Sequence, residues 1–456
     1  MNRTKRRHSI FSKNSIDTKM IRLRNDIEVK PMRIVFMVAC LLLISFAVHA
    51  QNIENKDLVY DDNINTVLVY PPSDQLLPPV IRLNSTDRLR LSFDDMSAES
   101  YLFRYTFVHC TKDWQTSELD QMDYLEGFFE EDITKYEFSV NAIPPYTHYD
   151  AVFPTRDMKI LLSGNYILKV YIDTPDDENV IITRRFFVVE PLVRADVNIP
   201  YYPKNLEFVR KKQQIDLKLT TPDLFNAEPM QRINVTIQQN GRWDNVKENI
   251  KPTSIMLNQL NFDYTEGIVF EGGNQFRNFD MKSYWYKSMY IKDIISNADG
   301  YVVVLHTDYN RAKKPYSVVI DIQGRKLITA RTGQDPNIEG EYAWVEFWLK
   351  QPHIKGANIY LLGALNSWQL DDKCKMEYDS RYRMYHGSMF LKQGYYDYLF
   401  AVVPDGSTRG NVTVVEGDHW ETKNQYSIYV YYKERVPAYD RLVGYNTFNS
   451  FDVSTE

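Results

Sequence analysis

The chain has 456 residues, 44% of them hydrophobic, including 33 Tyr and 23 Phe, with a formal net charge of −6. That apolar content excludes general disorder, and the length suits about three domains, each able to bury a core without disulfides. Residues 1–50 hold ten Lys/Arg and three Asp/Glu, so residues 51–456 carry 44 basic and 57 acidic residues, a net of −13; such an acidic body argues against a nucleic-acid partner, because phosphate binding needs a basic face.

Residues 34–48 form an apolar run behind Arg33 and ahead of Val48-His49-Ala50. A basic flank, a short apolar core and a small-x-small end match a secretory signal peptide cleaved after Ala50. The run is shorter than the ~20 residues a spanning helix needs, so direct membrane insertion is not expected. Met32 stands where such a peptide would begin, which makes 1–31 an N-terminal extension. Cys40 sits in a loose imitation of a lipoprotein box, but Leu41, Leu42, Leu43 and Ile44 follow it where a lipidated Cys should end the run.

Past the leader the chain is expected to be all-β, as tandem immunoglobulin-like or early-set β-sandwich domains at 51–190, 191–335 and 336–435, with a C-terminal tail at 436–456. In the first domain the expected strands are 64–70, 80–83, 89–93, 101–107, 136–140, 149–153, 166–172 and 180–189. Leu89, Leu91 and Phe93 alternate with polar residues, and Tyr101, Phe103, Tyr105 and Phe107 alternate again after the acidic stretch 94–100. This pattern predicts an antiparallel hairpin with one buried face. Strands 166–172 and 180–189, joined through the acidic turn 174–179, predict a second hairpin. Cys110 ends a strand as a buried thiol, and its distance in sequence from Cys374 implies no disulfide framework.

Residues 114–133 break the alternation. A loop this long, carrying Tyr124, Leu125, Phe128 and Phe129, is expected either to cover a sheet edge or to meet a partner, with Tyr124, Phe128 and Phe129 as the contact residues. The second domain is expected to place strands at 213–219, 233–238, 257–264, 267–270, 275–281, 301–306, 316–320 and 325–329. The third places them at 343–349, 358–362, 387–392, 394–403, 410–416 and 425–432.

No catalytic constellation emerges. The acidic clusters at 94–95, 130–132 and 173–178 lack the ligand spacing of a calcium loop and are expected to be solvated turns. His109, His148, His306, His353, His386 and His419 have no metal-like spacing, and neither a nucleophile elbow nor a phosphate loop is present. No metal, cofactor or enzymatic activity is expected.

In the third domain Gly363, Asn366 and Trp368, followed by Gly394, Tyr396, Tyr398 and Phe400, resemble the early-set sandwiches related to glycogen-binding modules. The resemblance implies a shared sandwich fold and, as an alternative function, a periplasmic or surface glycan-binding accessory protein with Trp368 and Tyr396 stacking on sugar rings. A second stacking tryptophan usual in that family is missing.

Longer matches run from Leu58 to the end of the third domain. They include Leu58-Val59-Tyr60-Asp61-Asp62, Leu89-Arg90-Leu91-Ser92-Phe93-Asp94-Asp95, Tyr105-Thr106-Phe107-Val108-His109-Cys110, Gln239-Asn240-Gly241-Arg242-Trp243-Asp244-Asn245 and Leu391-Lys392-Gln393-Gly394-Tyr395-Tyr396. On these the mature chain resembles the plug protein family of the type IX secretion system. The resemblance implies a non-enzymatic periplasmic protein that closes the inner mouth of a giant outer-membrane β-barrel translocon, its partner. It assigns no contact residues.

Overall fold

The computed structural model describes residues 53–221, 228–331 and 333–451. The expected extension, signal peptide and Cys40 lie outside the described residues. Strands dominate, and the described residues form one compact unit. Among the described residues no helix is long and apolar enough to cross a membrane.

The first core lies between two sheets. One runs Leu58–Val59, Val180–Val189, Gly164–Ile172, Phe103–Cys110, Glu130–Ile133, with Val80–Arg82 added parallel to Val180–Val189; the other runs Ile64–Tyr70, Leu89–Asp95, Thr147–Phe153, Lys135–Phe138. The expected hairpin at 164–189 forms. The expected hairpin at 89–107 does not: Leu89–Asp95 pairs with Ile64–Tyr70 and Thr147–Phe153, while Phe103–Cys110 pairs with Gly164–Ile172 and Glu130–Ile133. Residues 96–102 therefore cross from one sheet to the other, and the two apolar faces meet across the core. Phe93 meets Phe103 edge to face at 5.3 Å and stacks on Tyr149 at 5.1 Å, and Phe107 contacts Phe153 and Phe186, each at 5.2 Å. Burying one such ring is worth roughly 1.5–3 kcal/mol. An exposed ion pair such as Lys159–Glu126 is worth about 0–1 kcal/mol, so the aromatic layer dominates.

Strand pairing crosses the boundaries expected at 335 and 435. Residues 277–328 contribute strands to the third core: Arg277–Asp280 and Lys326–Ile328 pair with Gly394–Pro404, and Gly300–Leu305 runs parallel to Tyr342–Lys350. The expected tail contains the strand Asp440–Asn449, which pairs with Gln425–Lys433; that strand in turn pairs with Ile233–Gln239. The second core is thus closed by the end of the chain, and the third module is inserted between its halves. Two expected strands are absent: 316–320 is irregular, and 413–416 is a helical turn whose Glu416 is buried against Arg277 and Arg311.

Asp94 and Asp95 are not a solvated turn. Both are buried in a strand. The Asp94 carboxylate accepts from the Lys392 ammonium at 2.6 Å and from the Tyr342 hydroxyl at 2.6 Å, and its other oxygen lies 2.6 Å from His148 Nδ1. Tyr146 lies beneath the Lys392 ammonium, 4.1 Å from it, and donates its own hydroxyl to Gly340 O. This cluster joins the first core to the third. Burial alone would raise the Asp94 carboxyl, but Lys392 and the His148 hydrogen bond outweigh it and hold the group below the ordinary aspartate value.

Three outcomes follow. Lys392→Ala, which strands a buried carboxylate, should destabilise the protein by about 3–5 kcal/mol in urea unfolding. Because the folded Asp94 value is depressed, its contribution is present above the unfolded value of about 3.9 and disappears as pH falls through the folded value; wild type and Asp94→Asn should differ most above pH ~4 and converge in acid. Removing residues 435–456 takes away the fully buried Leu442 and Val443. That truncation should cost at least roughly 3–6 kcal/mol, and an unchanged urea midpoint would show that the closing strand is dispensable.

Candidate interaction surfaces

The segment that breaks the β pattern folds into a helical turn, Gln121–Tyr124, and two short strands. Leu125–Gly127 pairs with Met158–Ile160, and Glu130–Ile133 extends the first sheet beside Phe103–Thr106. Between these fixed strands the chain turns at Gly127, whose φ is +96° and where an added Cβ would lie 2.0 Å from Asp157 O. Phe128 N donates to the same carbonyl at 2.7 Å. Thr106 donates its hydroxyl to Phe129 O at 2.6 Å. The backbone is held while the rings project: Phe128 is 63% exposed and Phe129 40%. Beside them is an open depression of about 700 Å³ lined in part by Val108, Gln121 and Lys169.

Tyr124, expected as a third contact, is buried. It belongs to the first core and donates its hydroxyl to Phe107 O at 3.3 Å. The segment both covers a sheet edge and presents an apolar tip, with Tyr124 serving the first role and Phe128 and Phe129 available for the second. The acidic residues beside it are also partly structural, since the Tyr105 and Tyr171 hydroxyls donate to Glu131 and Glu130 at 2.5 Å each.

The aromatic pair expected to stack on sugars does not form a platform. Tyr396 is 1% exposed, stacks on Phe279 at 5.3 Å and donates its hydroxyl to Lys392 O. Trp368 is half-buried, edge-on to Phe276 at 6.1 Å, with Gly241 and Gly324 close to its ring. Gly324 has φ +80° and a Cβ there would reach Trp368 at 2.4 Å, so the glycine makes room for the indole.

Another exposed aromatic stretch escaped the sequence reading. In the loop 282–290 Trp285 is 85% exposed, with Tyr286, Met289 and Tyr290 also exposed, and Arg331 lies over the Trp285 ring at 5.6 Å. Its signal was the aromatic density of Tyr284-Trp285-Tyr286 without alternation. Among the described residues no group of three or more His, Cys, Asp or Glu could hold a metal ion. Cys110 and Cys374 are free and buried, and burial pushes each thiol up to about 12, which leaves them poor nucleophiles.

Residues 64–190, which hold the anchored Phe128–Phe129 tip, match the family model described as type 9 secretion system plug protein 1st domain. The chain belongs to the type 9 secretion system plug protein family. Membership gives it a role in type IX secretion. The whole architecture recurs in the crystal structure of a hypothetical protein from Parabacteroides merdae ATCC 43184, at 31% identity and a TM-score of 0.83 over 87% of this chain and 100% of that one. No curated protein matches the chain.

The tip's geometry makes a ranking testable. Gly127→Ala forces a side chain onto Asp157 O at a left-handed position and should cost roughly 1–3 kcal/mol. Phe128→Asp, at an exposed position, should stay within about 0.5 kcal/mol of wild type. Thermal unfolding of both variants decides it; the reverse order would mean that the tip, not its turn, supports the fold.

Proposed function

We propose that this plug family member acts without catalysis, in the periplasm, by binding the periplasmic end of the outer-membrane β-barrel translocon and closing it when no cargo passes. The observation that carries the reading is the pair of exposed rings at Phe128 and Phe129, fixed by flanking strands within the domain that matches the family model. Exposed aromatics on a rigid support are the side chains that dominate protein interfaces, because little ordering entropy is lost when they are buried. The interconnected cores supply a stiff body that can seal an aqueous pore by shape, without entering lipid. The glycan-binding alternative loses its second ring to the third core, and no observation in the structure favours it.

Affinity capture of the tagged protein from detergent-solubilised outer membranes of its host should co-purify one very large barrel protein. The Phe128→Asp/Phe129→Asp variant should lower that recovery at least about tenfold while keeping its melting temperature, since one or two central aromatic anchors contribute roughly 2 kcal/mol or more. Undiminished recovery would exclude this tip as the docking element. Failure to recover any barrel with the wild-type protein would refute the plug reading itself.

A further inference from the structure

Where the three cores meet there is a second cavity, of about 230 Å³, whose charge is unbalanced. Four of its lining residues are basic: Arg184 and Arg185 from the strand Val180–Val189 of the first core, and Arg325 and Lys326 at the edge of the third. The second core contributes Gln238, Asn240 and Gln425. Against the four basic groups the lining holds one carboxylate, Asp57, and that group accepts a backbone N–H from Arg185 at 2.9 Å.

The guanidinium groups are hydrogen-bonded but not neutralised. Arg184 donates to Leu58 O and Thr183 O, each at 2.8 Å; Arg185 donates to Asn55 O at 3.1 Å; Arg325 donates to the Gln425 amide oxygen. Carbonyl dipoles fix these groups in place without cancelling their charge. Arg185 is held further, between the rings of Trp114 and Trp243 at 4.5 and 4.3 Å. Among the described residues the Lys326 ammonium has no hydrogen-bond or ion-pair partner. Burial, with Arg184 adding repulsion, pushes it down to about 7. Charged groups are seldom sequestered unless paired, and three fixed guanidinium cations around one small space, with an amine that a bound anion would hold protonated, form a site that lacks its counter-charge.

We propose that this three-way junction binds a small polyanion bearing clustered oxyanion groups, phosphate or carboxylate, and that the ligand ties the three cores together. The volume admits a compact ligand rather than a nucleotide or a chain of sugars. Two pre-positioned guanidinium forks suit oxyanions in bidentate fashion, and Lys326 supplies a point charge from the opposite core. The half-buried indole of Trp368 and the Trp243 ring close the remaining wall.

The test uses the purified whole protein, without the translocon, so its outcome is independent of the plug reading. Calorimetric titrations are run with inorganic pyrophosphate and with citrate, in sodium chloride of matched ionic strength. Saturable binding of either supports the site, and whichever binds more tightly identifies phosphate or carboxylate as the recognised group. Lys326→Gln should weaken that binding about ten- to a hundredfold, the loss expected for one charged hydrogen bond, while its unliganded melting temperature stays at or above that of wild type. The wild-type melting midpoint should rise with ligand concentration, as for any ligand selective for the folded state. This readout stands without the variant. Absence of saturable binding by both probes, or binding that Lys326→Gln leaves unchanged, would overturn the proposal.

Discussion

The antiparallel pairing of Ile233–Gln239 with Gln425–Lys433 is the constraint on which the arrangement of the molecule rests. It makes the second core depend on the last strands of the chain, since Tyr426, Ile428, Val430 and Val443 fill that core together with Val235 and Ile237. Everything between, from Arg277 to Glu416, must fold as an insertion whose two ends leave side by side. Such a topology has long loops to close and few local contacts, which predisposes it to slow, cooperative folding rather than module-by-module assembly. It also rules out a beads-on-a-string picture, because no single linker separates the second core from the third.

Two polar junctions then lock the first core onto the others. Asp94, Lys392 and Tyr342 join it to the third, and Arg185 between Trp114 and Trp243 joins it to the second. A desolvated cation between aromatic faces is worth about 2 kcal/mol, whereas a buried ion pair gives little net stability compared with apolar packing. Its effect lies in register: the Asp94 oxygen facing the third core is satisfied only when Lys392 and Tyr342 both reach it, so a displaced interface leaves a buried charge unmatched. Tyr431, which donates to Asn165 at 2.8 Å, and Arg441, paired with Glu190, repeat that device between the first and second cores.

Much of the local structure was legible in the sequence, because period-2 alternation and turn residues are local signals. Strands Ile64–Tyr70 and Val180–Val189 and the hairpin before Val189 followed from pattern alone. Alternation assigns a face and leaves the partner open, which is why Leu89–Asp95 and Phe103–Cys110 were expected to hydrogen-bond when they instead face each other across the core. The sequence also could not reveal that the outer face of the first strand is covered, so Asp94 looked like a solvated acid until Lys392, nearly 300 residues away, was seen beside it. In the Gly394, Tyr396, Tyr398, Phe400 series the spacing itself carried a warning: all four occupy one face of a strand, and that face is the core. Within 114–133, hydrophobicity could not separate Tyr124, which roofs the core, from Phe128, which leaves it.

The contrast between those rings bears on how a plug would work. A flexible apolar loop would lose affinity to the entropy of ordering it, whereas the Phe128–Phe129 tip begins ordered, its turn fixed at Gly127 and its flanks paired on both sides. Trp285 and Met289 offer a second exposed apolar locus on the third core, and the buried junctions fix that core relative to the first. Two loci on one stiff body engage a partner as a unit: once the first is seated, the second is presented at a high effective concentration, provided the partner's surface has the matching spacing. In the proposed plugging role, rigidity would supply both affinity and selectivity, because a barrel mouth of the wrong dimensions would satisfy one locus but not both. The same argument explains why the protein tolerates buried ion pairs that contribute little to stability: they hold the spacing.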